Sequence, residues 1–159
     1  MIFVTVGSQM PFDRLVKAVD EWVGQSSREV LAQIGDSQLQ PKHMRYVRSM
    51  PPSEYVEYVQ RAELVVAHAG MGSIITALEF GKPILIMPRR GSLNETRNEH
   101  QMATARQFAG KTGIYVAMDE RELCQILDDW SHAPHSEPIA SMASDGLLQG
   151  VRAFLMGNA

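Results

Sequence analysis

Leu64-Val65-Val66-Ala67-His68-Ala69-Gly70-Met71-Gly72-Ser73-Ile74-Ile75 is the stretch that decides the fold. Its first half is apolar at consecutive positions, the pattern of a strand covered on both faces, as parallel strands are. Gly70 and Gly72 break that run, and Ile74, Ile75 and Leu78 recur at helical spacing until Gly81 stops the helix. A buried strand that turns through glycines into a helix opens a β-α-β unit. Its return strand follows at once in Pro83-Ile84-Leu85-Ile86-Met87-Pro88.

The same alternation extends in both directions. Upstream, Ile2 to Val6 predicts a first strand, Gly7 its turn, and Leu15, Val16, Val19, Trp22 and Val23 one stripe of a first helix. Val30 to Ile34 predicts a second strand and Arg45 to Val47 a weaker third, after which Pro51-Pro52-Ser53 opens a helix carrying Tyr55, Val56, Val59 and Ala62. Downstream, a polar loop from Arg89 to Arg97 leads to a helix around Gln101 to Phe108, a strand at Ile114 to Val116 and a helix from Asp119 to Trp130. Strands separated by helices pair in parallel through right-handed crossovers. The expected fold class is therefore α/β, a doubly wound parallel sheet over residues 1–130. Residues 131–159 stand apart: a linker from Ser131 to Pro138, then an amphipathic helix with Leu147, Leu148, Val151, Phe154 and Leu155, expected to dock on a partner.

A chain of 159 residues has room for one core of ordinary size. Hydrophobic residues make up 45% and charged residues 21%, which excludes a disordered or fibrous chain. Fifteen basic against eighteen acidic side chains leave a formal charge of −3, so the electrostatic footprint of a nucleic-acid binder is missing. The one cysteine, Cys124, rules out an internal disulfide and fits the cytosol. No apolar run approaches the roughly 18 residues that span a bilayer, and Met1 leads straight into a strand without a basic leader. Any attachment to a membrane is expected to come through another molecule.

Two glycines between the most apolar strand and its helix let backbone approach a ligand, and the helix N-terminus behind them favours an anion such as phosphate. A tight structural turn explains the glycines equally well. A nicotinamide or flavin fingerprint would follow the first strand and carry a third glycine, yet that turn has only Gly7, and position 75 is Ile75. Gly110-Lys111-Thr112 resembles the end of a Walker loop, but a helix precedes it and Ala105 stands where the first glycine belongs, so it reads as a helix stop. His43, His132 and His135 show no metal-ligand spacing, and no metal is expected. Asn98-Glu99-His100-Gln101 falls beyond the carboxyl end of the strand ending at Pro88, where doubly wound sheets bind ligands, although taken alone it reads as a solvated first helical turn with Glu99 favouring the helix dipole. Arg89-Arg90 reads as a solvated loop, with phosphate or a partner as the rarer alternative.

Taken as an ordered set, Phe3-Val4-Thr5-Val6-Gly7, His68-Ala69-Gly70-Met71-Gly72-Ser73, Leu78-Glu79-Phe80-Gly81-Lys82-Pro83 and Asn98-Glu99-His100-Gln101 resemble glycosyltransferase family 28, specifically its C-terminal, donor-binding half. The resemblance implies a GT-B architecture, in which the active site lies between two Rossmann-like halves, and this chain has the length of one. Within the family it is similar to free-standing donor-binding subunits, both the cytosolic subunit of the two-chain UDP-N-acetylglucosamine transferase of dolichol-linked glycan assembly and bacterial exopolysaccharide subunits. There a separate membrane-anchored chain supplies the N-terminal half.

What the resemblance implies for this chain is a UDP-sugar as donor substrate, with no cofactor or metal and the catalytic base on the partner chain. The acceptor would be lipid-linked or a glycan, and the chain would be recruited from the cytoplasm to the inner face of the membrane. Gly70, Gly72 and Ser73 would hold the diphosphate beside His68; Gln101, with His100 and Glu99, would face the donor sugar; Gly7 and Ser8 would line the crevice toward the partner. Many relatives carry a ribose-binding glutamate at the position of Thr76, and Glu79, one helical turn on, is its candidate substitute. Two alternatives stand beside this reading. One is a non-catalytic regulatory subunit with the same fold; the other is a self-sufficient homodimeric transferase or sugar-nucleotide epimerase-like enzyme.

Overall fold

A computed structural model describes residues 1–132. It contains six strands, β1 (Ile2–Thr5), β2 (Val30–Gln33), β3 (Arg45–Val47), β4 (Leu64–His68), β5 (Ile84–Met87) and β6 (Ile114–Val116). The helices are α1 (Asp13–Val23), α2 (Pro52–Arg61), α3 (Met71–Glu79), α4 (His100–Phe108) and α5 (Glu120–His132), with a 3-10 turn at Gly91–Leu93. Two strands end one residue earlier than expected, yet Val6 N still donates to Gln33 O at 3.1 Å and Ile34 N to Val47 O at 3.0 Å. Helix α5 passes Trp130 and takes in Ser131 and His132, the first two residues of the expected linker. The rest of that linker and the expected amphipathic helix lie outside the described residues.

All neighbouring strands are parallel, in the order β3-β2-β1-β4-β5-β6. The side-chain period of two sends Ile2, Val4, Leu64, Val66, Leu85 and Met87 to one face, where α1 and α5 cover them with Leu15, Val19, Trp22, Leu123 and Leu127. Phe3, Val65, Ala67, Ile84 and Ile86 point the other way, against Val59 of α2, Ile74 and Leu78 of α3, and Ala105 and Phe108 of α4. Covering on both faces explains why β4 and β5 are apolar at nearly every position. Burial of each such side chain contributes about 1.5–3 kcal/mol.

Two details fix α1 and α5 against each other. Trp22 Nε1 donates to Asp128 Oδ1 at 2.7 Å, joining the last turns of α1 and α5, while Arg14 at the start of α1 meets Glu120 at the start of α5 at 3.2 Å. These helices run side by side in the same direction, with the half-buried Cys124 between them. Chain direction reverses its sense of winding between β1 and β4, and a crevice opens there at the carboxyl ends of the strands.

Candidate functional site

The crevice encloses about 1010 Å³ and is walled by the turns after β1 and β4, the carboxyl ends of β2 and β3, and the start of α4. Gly7, Ser8, His68, Gly70, Gly72, Ser73, Thr76, His100 and Gln101 all line it. Glu79 and Glu99 do not. Glu79 is exposed at the end of α3, and Glu99 accepts from the backbone N of Ser92 at 3.1 Å, tying the start of α4 to the 3-10 turn. His100 is exposed, and its Nδ1 is paired with Asn98 Oδ1.

The imidazole of His68 is the centre of the arrangement. A Cβ on Gly7 would come within 2.6 Å of His68 Cε1, and one on Gly70 within 2.1 Å of Nε2. Both turns therefore close on one ring, which only glycine allows, and Gly7 also sits at φ +78°. Burial first, then the positive charge of Arg89, hold His68 down at about 4, weakly opposed by the backbone of Thr5. His68 is neutral at physiological pH, and its buried Nδ1 lacks a well-formed hydrogen bond.

Gly72 has a different reason to be glycine. A Cβ there would meet nothing within 4 Å, so the residue leaves open space at the first turn of α3. No side chain caps this helix, and Ile74 is the first residue whose N–H reaches back, to Gly70 O at 3.2 Å. The N–H groups of Met71, Gly72 and Ser73 are thus left to whatever fills the crevice, together with the positive end of the helix dipole. Such an end binds anions.

Beneath the glycine turns lies a polar floor that sequence reasoning missed. Thr5 Oγ1 donates to Gln33 Oε1 at 2.7 Å, Gln33 Nε2 donates to Gly7 O at 3.2 Å and Arg48 O at 3.1 Å, and Gly7 N donates to Thr5 Oγ1 at 3.2 Å. Tyr55 of α2 brings its hydroxyl to Ser73 and Thr5; burial raises its pKa, and these two hydrogen bonds oppose the rise. Ser73 is itself buried, so it braces the turn as well as facing the crevice. Tyr55 was legible only as an apolar position of α2, because its helical spacing says nothing about the hydroxyl.

Arg89 corrects the expectation of a solvated loop. It is 3% exposed, and its guanidinium donates to Val6 O and Met10 O at 2.6 Å each and to Pro11 O. Its backbone N donates to Gln101 Oε1 at 3.1 Å, which fixes that side chain and leaves its amide NH₂ as the donor it can offer the crevice. The positions sharing this contact are twelve residues apart and carry no common motif.

A doubly wound sheet with an uncapped helix N-terminus at its switch point defines a Rossmann-like domain, a class whose ligand sites lie at the strand ends. The chain matches the glycosyltransferase family 28 C-terminal domain over residues 1–151, and it belongs to that family. Among its relatives, the UDP-N-acetylglucosamine transferase subunit ALG13 of Yarrowia lipolytica is 27% identical, over 95% of this chain and 82% of its own length. The mouse protein of the same name is 34% identical over 92% of this chain, which spans only 12% of that longer protein. An NMR structure of ALG13 has the same fold, with a TM-score of 0.62 at 17% identity, covering 93% of this chain and 92% of that one. The MurG structure of Acinetobacter baumannii superposes with a TM-score of 0.60 at 16% identity, covering 93% of this chain and 49% of its own. This chain thus has the fold of one half of a GT-B glycosyltransferase.

Proposed function

We propose that this chain is the donor-binding subunit of an inverting UDP-sugar glycosyltransferase whose other half is a separate, membrane-anchored chain, acting on a lipid-linked or glycan acceptor. One observation carries the reading: the uncapped start of α3 opens onto the crevice at Gly72, where nothing of the protein fills the space. The diphosphate of UDP fits that place, since its charge meets the free N–H groups of Met71, Gly72 and Ser73 and the helix dipole. The relatives named as subunits of a UDP-N-acetylglucosamine transferase support the division of labour, and suggest that sugar as donor. Among the described residues no helix is long and apolar enough to cross a membrane, and in this reading the partner supplies the anchor.

The chemistry divides accordingly. A base on the partner takes the proton of the acceptor hydroxyl, the oxygen attacks the anomeric carbon, and the bond to the UDP oxygen breaks. Charge then builds on the leaving diphosphate. The N–H groups at the start of α3 stabilise it in place, without a metal being required. Neutral His68 neither repels nor neutralises the ligand, and serves as the spacer on which the two glycine turns rest.

Calorimetry on the full chain with UDP tests the reading, with Gly72→Val as the control. Wild type binds, and the valine, which has room in the protein but projects toward the diphosphate, weakens binding at least about tenfold, ~1.4 kcal/mol, without loss of folding. Equal affinity in both proteins would place the nucleotide elsewhere. Transfer measured with and without an added N-half chain then separates a dependent subunit from a self-sufficient enzyme.

A further inference from the structure

We propose that Arg89 is a positioning residue that holds the segment from Val6 to Pro11 as a fixed arch, keeping Gly7 and Ser8 in place across from the start of α3. The inference rests on the nucleotide-binding reading above and adds to it a determinant on β5's exit, remote in sequence from the arch.

The arch is held at two ends. Near β1, Gly7 is fixed by Thr5 and Gln33 through its N–H and carbonyl. The Arg89 guanidinium spans both ends, gathering the carbonyl of Val6 beside β1 and those of Met10 and Pro11 at the far end, and stands 4.9 Å from the centre of the Phe12 ring. Ser8 and Gln9 form the exposed crown between these ends. Within 4.0 Å of the Arg89 nitrogens there is no carboxylate among the described residues; Glu95 contributes a backbone oxygen at 3.3 Å and a more distant charge. A buried cation is costly unless its hydrogen-bonding capacity is met, and here loop carbonyls meet it almost alone. Loop and guanidinium therefore order each other.

The planar fork of arginine is what the geometry uses. It reaches several carbonyls in fixed directions, whereas a lysine ammonium is a point charge on a flexible stem. The same residue's backbone N holds Gln101 Oε1, so Arg89 links the α4 wall of the crevice to the arch. A core arginine would be expected to stabilise the sheet; this one spends its contacts on the rim.

The test compares wild type, Arg89→Lys and Arg89→Gln as full chains, by thermal unfolding, backbone NMR order parameters and UDP calorimetry. The expected result for Arg89→Lys is a folded protein in which order parameters at residues 7–10 fall from about 0.85 to below about 0.6, with β4 and β5 unchanged. UDP affinity falls about tenfold in the same variant, and further in Arg89→Gln, which also lacks the charge. An arch as rigid in folded Arg89→Lys as in wild type would overturn the proposal. So would a mobile arch with undiminished UDP affinity, and so would unfolding of both variants, which would make Arg89 a core residue. Should wild type bind no UDP, the nucleotide reading fails and the affinity part of the proposal with it, while the order parameters still decide whether Arg89 holds the arch.

Discussion

Thr76 Oγ1 donates to the carbonyl of Gly72 at 2.9 Å. The hydroxyl is folded back onto its own helix, a common habit of threonine in helices, and its proton is committed there. Glu79, one turn later, is outside the crevice. Two substitutions follow from this pair. Glu79→Ala should leave UDP affinity within about twofold, since surface changes away from a site act weakly. Thr76→Glu should tighten UDP about tenfold by offering the ribose a charge-assisted hydrogen bond. Calorimetry with UDP and with pyrophosphate checks both, because a ribose contact is felt only by the former.

Three of the crevice's glycines, Gly7, Gly70 and Gly72, should separate by mechanism. Gly7→Ala forces a side chain into a left-handed backbone and against His68, and Gly70→Ala drives one into the ring itself; each is expected to cost about 1–3 kcal/mol of stability. Gly72→Ala meets open space and should leave stability unchanged or slightly raised, as alanine favours helices over glycine by up to about 1 kcal/mol. Urea unfolding of the three variants gives the order directly.

His68 sets an acid limit on the fold. Its folded pKa of about 4 lies below the ordinary histidine value of 6.5, so between those values the unfolded chain binds the extra proton. Its contribution is neutral above pH 6.5 and destabilises progressively as pH falls toward 4, reaching about 3 kcal/mol, with no further change below. Replacing it with a side chain that does not titrate, His68→Gln, should flatten that segment of the stability curve. An equal slope in mutant and wild type, measured by urea titration from pH 7 to pH 4, would assign the loss to other groups.

One carboxylate gathers the end of the connection between β2 and β3. Asp20 of α1 accepts from the backbone N of Lys42 at 2.9 Å, of His43 at 2.8 Å and of Met44 at 3.1 Å. Asp20→Ala removes three charge-assisted bonds at once and should cost about 1.5–3 kcal/mol, a single such bond being worth about that much and the site being partly wet. Thermal unfolding measures it.

The fold was legible because its signal is local. Leu64 to Val66 and Ile84 to Met87 are apolar in unbroken runs, and the stripes of α1 and α3 repeat within a few residues. The backbone part of the site was legible for the same reason: Gly70 and Gly72 sit next to the strand and helix they join. What escaped was every contact made across distance. Thr5 meets Gln33 over 28 positions and Arg89 meets Val6 over 83, and nothing near either residue announces its partner. A charged pair between a strand and a polar loop has a solvated rim as its ordinary explanation, and only the folded chain shows one of those two arginines enclosed. Glu79 is the opposite case. Spacing of three puts it near the face of Thr76, but α3 ends there and the crevice does not extend that far.

The side-by-side run of α1 and α5 places the chain's one thiol on the sheet face opposite α3. Cys124 packs against α1 with its sulfur 4.0 Å from Ala18 O, and burial first, then Asp128, Glu21 and Glu120, raise its pKa. Little thiolate forms at neutral pH, so alkylation of this half-buried sulfur is slow for a chemical reason and speeds up as pH rises. The thiol lines the groove between the two helices, so a probe coupled to it reports on that face of the sheet without touching any residue of the crevice.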